Sequence, residues 1–323
     1  MTRRPAIYKA FFLLGALLAC ACKSDSASRS LATEDARWVA VAAVVEVNLL
    51  GVDLIDNKNG WAVGDISVAN GAVLQTTNGG RNWRPISSTD EVLAAVDFIS
   101  ANRGWVAGYA GRVQRTDDGG VTWKLQRTEH KGEVLNSIFF LDSERGWAAG
   151  GAGLLLLTLN GGDTWETIAT GRTEDLWSVR FLTPDRGFIV GEDGLILTTT
   201  DGGREWSAQA SGSKGALVGL AVASDHAIAV GEDGMILRTD DFETWSRAES
   251  KTTESLNAVA INKSSCWAVG SRGATVGSSD RGRTWTLAPT VVSRDLMAVS
   301  VSGPANAIAV GRRGAVQFLA PDR

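Results

Sequence analysis

Apolar and polar residues alternate in short runs along most of the chain, and the runs come in groups of four. Stretches such as VLAAVDFIS (92–100) and LNAVAIN (256–262) alternate apolar residues with small or polar ones, the period that turns one face of a β-strand inward. Each is followed by a short polar turn, a second run such as WVAG, a G-x-x-G connection, a third run, and an acidic turn closed by tryptophan that opens a fourth strand. The text GWVAGYAGRVQRTDDGGVTW (104–123) returns almost unchanged at 146–165 and 187–206. Weaker copies lie at 227–245 and 266–285, an interrupted one at 60–83, and a truncated one at 307–323. The glycine that closes the first half stands at 64, 108, 150, 191, 231, 270 and 311, spacings of 39 to 44 residues. Four-stranded units at that period are the blades of a β-propeller. The expected fold is therefore all-β, a single seven-bladed propeller over residues 35–323.

The truncated last copy has no tryptophan and no outer strand. The segment DARWVAVAAV (35–44) contains Trp38, which stands 45 residues before Trp83. That spacing predicts that the N-terminal segment supplies the missing outer strand and closes the ring, leaving no exposed strand edges. The acidic turn follows the spacing [S/T]-x-[D/N]-x-G-x-x-W, as in Thr116, Asp118, Gly120 and Trp123; Thr158, Asn160, Gly162 and Trp165; and Ser278, Asp280, Gly282 and Trp285. It resembles the Asp-box, or BNR repeat, of sialidases and related propellers. An Asp or Asn carboxyl or amide there can bond its own backbone a few residues on, and the tryptophan supplies apolar surface between units. The blade with Arg238, Asp240 and Phe242 lacks the box glycine, so its turn is expected to be the least regular.

The N-terminus has a different character. Arg3, Arg4 and Lys9 precede the apolar run AFFLLGALLA, and LLAC ends at Cys20. Residues 1–19 read as an export signal. Leu17 to Cys20 resembles a bacterial lipobox, which makes Cys20 the lipidation site; Cys22 fits that pattern less well. Residues 20–34 are small and polar and read as a tether. The expected location is outside the cytoplasm, on a membrane, in the periplasm or at the cell surface. Within the ring only Cys266 remains, so no disulfide framework exists. The chain carries a net charge of −4, and losing the signal removes basic residues only. A mildly acidic ring is a poor match for nucleic acid.

Catalytic chemistry finds little support. Sialidases need an arginine triad and a late tyrosine nucleophile, yet one of the two tyrosines, Tyr8, lies in the signal and Tyr109 falls early in the ring. His130 and His226 sit in a blade linker and a lower loop, so no metal or cofactor site is expected. Two sets of charged positions stand out as candidate partner contacts. Arg103, Arg145 and Arg186 precede the second strand in three consecutive repeats. The G-x-x-G hairpins carry Glu192-Asp193 and Glu232-Asp233 in two adjacent blades, then Arg272 and Arg312-Arg313 in the next two.

The combination G-W-x-V-G…L-x-T-x-D-G-G-x-x-W, a single seven-bladed ring and a lipoprotein signal resembles the photosystem II stability and assembly factors and their bacterial relatives. That resemblance implies a monomeric, non-enzymatic, protein-binding ring without cofactors, holding a membrane-protein assembly intermediate as client. A carbohydrate-active hydrolase of sialidase or xyloglucanase type is the alternative on the same scaffold.

Overall fold

The computed structural model describes residues 36–41, 47–67, 70–126, 132–303 and 306–321. The signal, the tether, Cys20 and His130 lie outside them. Seven four-stranded antiparallel sheets form the blades of the expected propeller. In the second blade the strands are Leu93–Phe98, Gly104–Gly108, Val113–Thr116 and Lys124–Gln126, from the central axis outward. The loops joining first to second strands and the Asp-boxes form one face of the ring, here the lower face. The hairpins joining second to third strands and the linkers between blades form the upper face.

Closure takes place in the seventh blade. Strand Ala36–Ala40 pairs antiparallel with the outermost C-terminal strand, setting Ala36 opposite Pro321 and Trp38 opposite Leu319. The sheet thus draws three strands from the C-terminus and one from the N-terminus. Trp38 is 6% exposed and meets Trp267 of the sixth blade edge to face at 5.2 Å. Across the seam, the Gly314 N–H donates to the Val47 carbonyl at 2.6 Å.

Neighbouring blades are joined by aromatic sandwiches. Trp61 of the first blade stacks on Phe98 of the second at 3.7 Å, and Trp123, from the second blade's box, stands edge-on to the same ring. The arrangement recurs as Trp105, Phe140 and Trp165, then as Trp147, Phe181 and Trp206. In these three interfaces the second-strand indole N–H also donates to a box carbonyl of the next blade: Trp61 to Gly119 at 2.8 Å, Trp105 to Gly161 at 3.0 Å and Trp147 to Gly202 at 3.2 Å. A buried indole is thereby both packed and satisfied.

The boxes are scaffold. Thr116 Oγ1 accepts the Gly120 N–H at 2.9 Å, and Asp118 accepts the Thr122 N–H at 2.9 Å and its hydroxyl at 2.6 Å. These bonds hold the Asp118 carboxylate down to about 2, the Thr122 hydroxyl contributing most. In the fifth blade the register differs from the expected one. Thr239 and Asp241, not Arg238 and Asp240, make the turn bonds. One residue is missing before Trp245, and Phe242 takes the left-handed conformation at φ 63°.

The G-x-x-G hairpins also differ in detail from a plain two-residue connection. Gly108, which opens one, is extended at φ 179°, while Ala110 and Gly111 take positive φ of 57° and 63°. The Arg112 N–H donates to the Tyr109 carbonyl, as in a type I′ turn displaced by one residue. The opening glycine answers a different need. The innermost strand bulges between Leu93 and Ala95, and a Cβ on Gly108 would lie 2.1 Å from the Val92 oxygen.

The innermost strands surround a central channel of about 250 Å³, lined near the upper end by Leu50, Asn136, Trp177, Val218, Asn257 and Met297. Asp53, Asp97 and Arg180 hold matching places near the lower ends of their strands, opposite Trp61, Trp105 and Phe188. Each carboxylate accepts a backbone N–H from the following blade, Asp53 from Phe98 at 2.8 Å and Asp97 from Phe140 at 2.7 Å. Burial pushes Asp53 up to about 6, opposed by the Phe98 N–H and Arg180. Burial, then repulsion from Asp53, pushes Asp97 up to about 7, opposed by Arg180.

Three outcomes follow from closure and from the channel. Trp38→Ala should destabilise the ring by about 3–5 kcal/mol, the range for truncating a core aromatic, measured by urea denaturation. Deletion of residues 35–44 should give aggregated protein, and a deletion variant with unchanged melting would contradict closure by this strand. Asp97 is neutral in folded and unfolded chains below about pH 4. Between there and about pH 7 the folded chain keeps a proton that the unfolded chain has released, so stability falls as pH rises across this window. Asp97→Asn, which retains an acceptor for Phe140, should therefore stabilise the ring on the order of 1–2 kcal/mol at pH 8, discounted from the full shift because Asp97 keeps some access to solvent. It should change little at pH 4, as read from denaturation at the two pH values.

Candidate functional surfaces

On the upper face the hairpins hold their central side chains at the rim because each turn is pinned from beneath. The second hairpin residue donates its N–H to the linker residue ahead of the next blade: Ala152 to Asp175 at 2.7 Å, Arg272 to Asp295 at 2.9 Å and Arg313 to Asn48 at 3.0 Å. The sequence reading missed these three capping residues. The signal available was a polar side chain directly before the apolar start of an innermost strand, as in EDLW and RDLM.

Glu192-Asp193 and Glu232-Asp233 lie in adjacent turns of the same build. Glu192 is held above the usual carboxylate range by burial first, then by the nearby charges of Asp175, Asp193 and Glu232. The Glu232 carboxylate accepts the Ala216 N–H at 3.2 Å. In the basic half, Arg272 pairs with Glu254 at 3.1 Å while its side chain remains 80% exposed. Arg312 approaches Asp295 at 3.7 Å, and Arg294 donates to the Arg313 carbonyl at 2.7 Å. The upper rim therefore brings the four hairpin acids together and sets the three hairpin arginines in the following two blades. Linker acids partly offset those arginines.

On the lower face Arg103, Arg145 and Arg186 occupy equivalent places, each engaged locally. Arg103 pairs with Asp117 at 3.3 Å and lies over the Trp105 ring. Arg145 pairs with Asp142 at 2.7 Å. Arg186 lies over Phe242 at 5.1 Å and donates to its carbonyl at 3.4 Å, bracing the shortened box of the fifth blade. The corresponding residue in the fifth blade is His226, which is buried with Nδ1 against Asp225 at 2.7 Å. Arg238 is a further buried arginine. It pairs with Asp240 and donates to the Arg281 carbonyl of the sixth blade at 2.7 Å.

Cys266 is free and buried, and burial pushes its thiol up to about 12, far from the thiolate a nucleophile needs. It fits where Gly104 stands in the second blade because Ile261, its cross-strand partner, replaces the Phe98 ring that crowds Gly104. Among the described residues no group of three or more His, Cys, Asp or Glu side chains is placed to hold a metal ion. No helix among them is long and apolar enough to cross a membrane.

Comparison with known proteins places this geometry. The family described as photosynthesis system II assembly factor YCF48 matches residues 84–174 and 171–253. The photosystem II assembly lipoprotein Ycf48 of Synechococcus sp. (strain CC9902) is 32% identical over 91 residues, covering 27% of this chain and 26% of that protein. The aligned stretch thus spans about a quarter of that relative. A solved structure of YCF48 bound to a D1 peptide superposes with a TM-score of 0.72 at 20% identity, covering 87% of this chain and 96% of that one. The GH74 xyloglucanase of Xanthomonas campestris gives a TM-score of 0.69 at 15% identity, covering 87% of this chain but 53% of its own. At such identities the structural likenesses establish the fold alone. The family match, running from the outer strand of the first blade through the box and outer strand of the fifth, covers more than half of the sequence, and the chain belongs to the photosystem II assembly factor YCF48 family.

Proposed function

We propose that this chain is a lipid-anchored, non-enzymatic ring that holds a membrane-protein client during assembly. The observation that carries the reading is family membership across the middle blades. It is supported by the lipoprotein name of one relative and by the description of another as bound to a D1 peptide. Cys20 provides the anchor, and the ring acts as a monomer. The fold suits the task, since a rigid closed scaffold presents variable turns at fixed spacing.

The client docks on the upper rim, oriented by the acidic turns of Glu192, Asp193, Glu232 and Asp233 and the basic turns of Arg272, Arg312 and Arg313. Exposed turn charges contribute little to folding, but grouped charges steer encounter and fix orientation. Arg103, Arg145 and Arg186 serve the client surface indirectly, by bracing loops and boxes below. The hydrolase alternative draws on the xyloglucanase fold. A glycosidase requires two carboxyl groups flanking a sugar-binding cleft, and turnover of xyloglucan or a sialoside by the purified protein would favour it.

Cys20→Ala should move the protein from the membrane to the soluble fraction, and a variant that stays membrane-bound at full length would contradict lipidation at this residue. Reversal of Arg312 and Arg313 to glutamate should slow association with the client captured from native membranes, with the loss shrinking as salt rises. The melting temperature should stay nearly constant. An on-rate indifferent to both salt and reversal would remove the upper rim from recognition.

A further inference from the structure

The lower face divides its charge unequally. Over the second to fourth blades its basic residues are interleaved with acids in excess, among them Asp117, Asp142, Glu144, Asp163, Asp201 and Glu205. Over the sixth, seventh and first blades the balance reverses. Lys58 lies in the lower loop of the first blade, Arg81 and Arg84 in and beside its box, Lys263 in the lower loop of the sixth, and Arg281 and Arg283 in that blade's box. All six are exposed. Among the described residues the acids of this sector are Asp56 and Asp280, fewer than its basic side chains, and they accept turn N–H groups of Lys58, Asn59, Arg283 and Thr284.

The sector is continuous across the seam. Arg81 of the first blade lies over Phe318 of the seventh at 5.3 Å, and Ser302 of the seventh blade meets Asn57 of the first. It ends at the fifth blade, where Arg281 pairs with Asp225 at 2.6 Å and Arg283 with Asp240 at 3.3 Å. Its middle is also where the N-terminal segment joins the ring. Ala36 pairs with Pro321 at the lower end of the outermost strand, and the next residue, Arg37, is exposed. The chain between Cys20 and Ala36 reaches about 55–60 Å at most when fully extended.

We infer that this basic sector lies against an anionic bilayer, so that the anchored ring stands with its lower face over the sixth, seventh and first blades on the lipid and its upper rim turned to the client. The inference rests on the anchoring reading of Cys20. A tether fastened at the centre of the basic sector lets that sector reach the lipid surface, and once it comes within about a Debye length its basic side chains are held by the anionic headgroups. The acid-rich opposite sector is repelled, and the two together set a tilt.

The test uses the full-length, membrane-extracted protein in vesicles of phosphatidylcholine with or without phosphatidylglycerol, after mass spectrometry of Cys20. With Cys22→Ser in the background, a donor dye is placed on Asn57→Cys at the lower face or on Lys214→Cys in an upper-face linker, with an acceptor in the lipid. Energy transfer from the lower label should exceed that from the upper one several-fold in phosphatidylglycerol vesicles. The difference should fall away in pure phosphatidylcholine, at high salt, and in Lys58→Glu/Lys263→Glu. Those two positions are chosen to spare the Arg81–Phe318 contact, and melting checks that the fold is kept. An acylated Cys20 with equal transfer from both labels, or with transfer indifferent to phosphatidylglycerol and to charge reversal, overturns this inference alone and leaves the sector to an acidic protein. An unmodified Cys20 overturns the anchoring reading and this inference with it.

Discussion

Everything in the ring depends on one short antiparallel ladder, Ala36–Ala40 against the last strand. A propeller has no central core. Its apolar residues fall into separate clusters, several of which span two neighbouring blades. Each interface is therefore secure only while the ring prevents the two flanking blades from moving apart. Without the N-terminal strand, the seventh blade would present a bare edge and Trp267 would lose Trp38 as its neighbour. Closure converts a row of individually small interfaces into one structure.

The interfaces are not equivalent, and their differences follow from single residues. Between the first four blades a tryptophan, a phenylalanine and a second tryptophan form a sandwich with a hydrogen bond at its edge. Between the fourth and fifth blades Phe188 and Phe242 take over, 5.7 Å apart, and the indole N–H that crosses comes from the other side, Trp245 donating to Gln209 Oε1 at 2.8 Å. Arg186 instead supplies the polar link to the Phe242 carbonyl, and Gln209 donates to the same oxygen at 2.9 Å. Between the sixth and seventh blades no box carbonyl among the described residues accepts such a bond. Trp267 buries its indole N–H there without a hydrogen-bond partner among the described residues. The fifth and seventh blades thus diverge most from the repeat, and both are compensated by contacts from outside it.

Charge is distributed by the same geometry. Arginines on the lower face that look interchangeable in the repeats are divided among an ion pair, a ring face and a backbone carbonyl. Asp53, Asp97 and Arg180, far apart in sequence, share the channel because equivalent positions of successive blades converge on the axis. Burial raises both acids, and repulsion from Asp53 raises Asp97 further, while the Arg180 guanidinium opposes both shifts. The upper rim, by contrast, keeps its charges in exposed turns whose backbone is pinned by Asp175, Asp295 and Asn48. Rigid turns with exposed charges suit recognition, whereas the channel charges mainly tune stability.

The sequence by itself determined the number of blades, the order of strands within each, the Asp-boxes and the N-terminal origin of the closing strand. These rest on local causes: a period of two, turn chemistry within a few residues, and a repeat near 41 residues that leaves one outer strand missing. Tertiary structure alone decided which copies of a position meet. It set Asp97 near Arg180, moved the fifth box by one residue onto Asp241, laid Arg186 on Phe242, and gathered Lys58, Arg81 and Lys263 around the base of the closing strand. No local pattern contains those pairings. They arise because the circle sets one blade against the next and the last against the first, so that Arg186 reaches Phe242 one blade on and, across the seam, Leu54 donates to Ser300 at 3.0 Å.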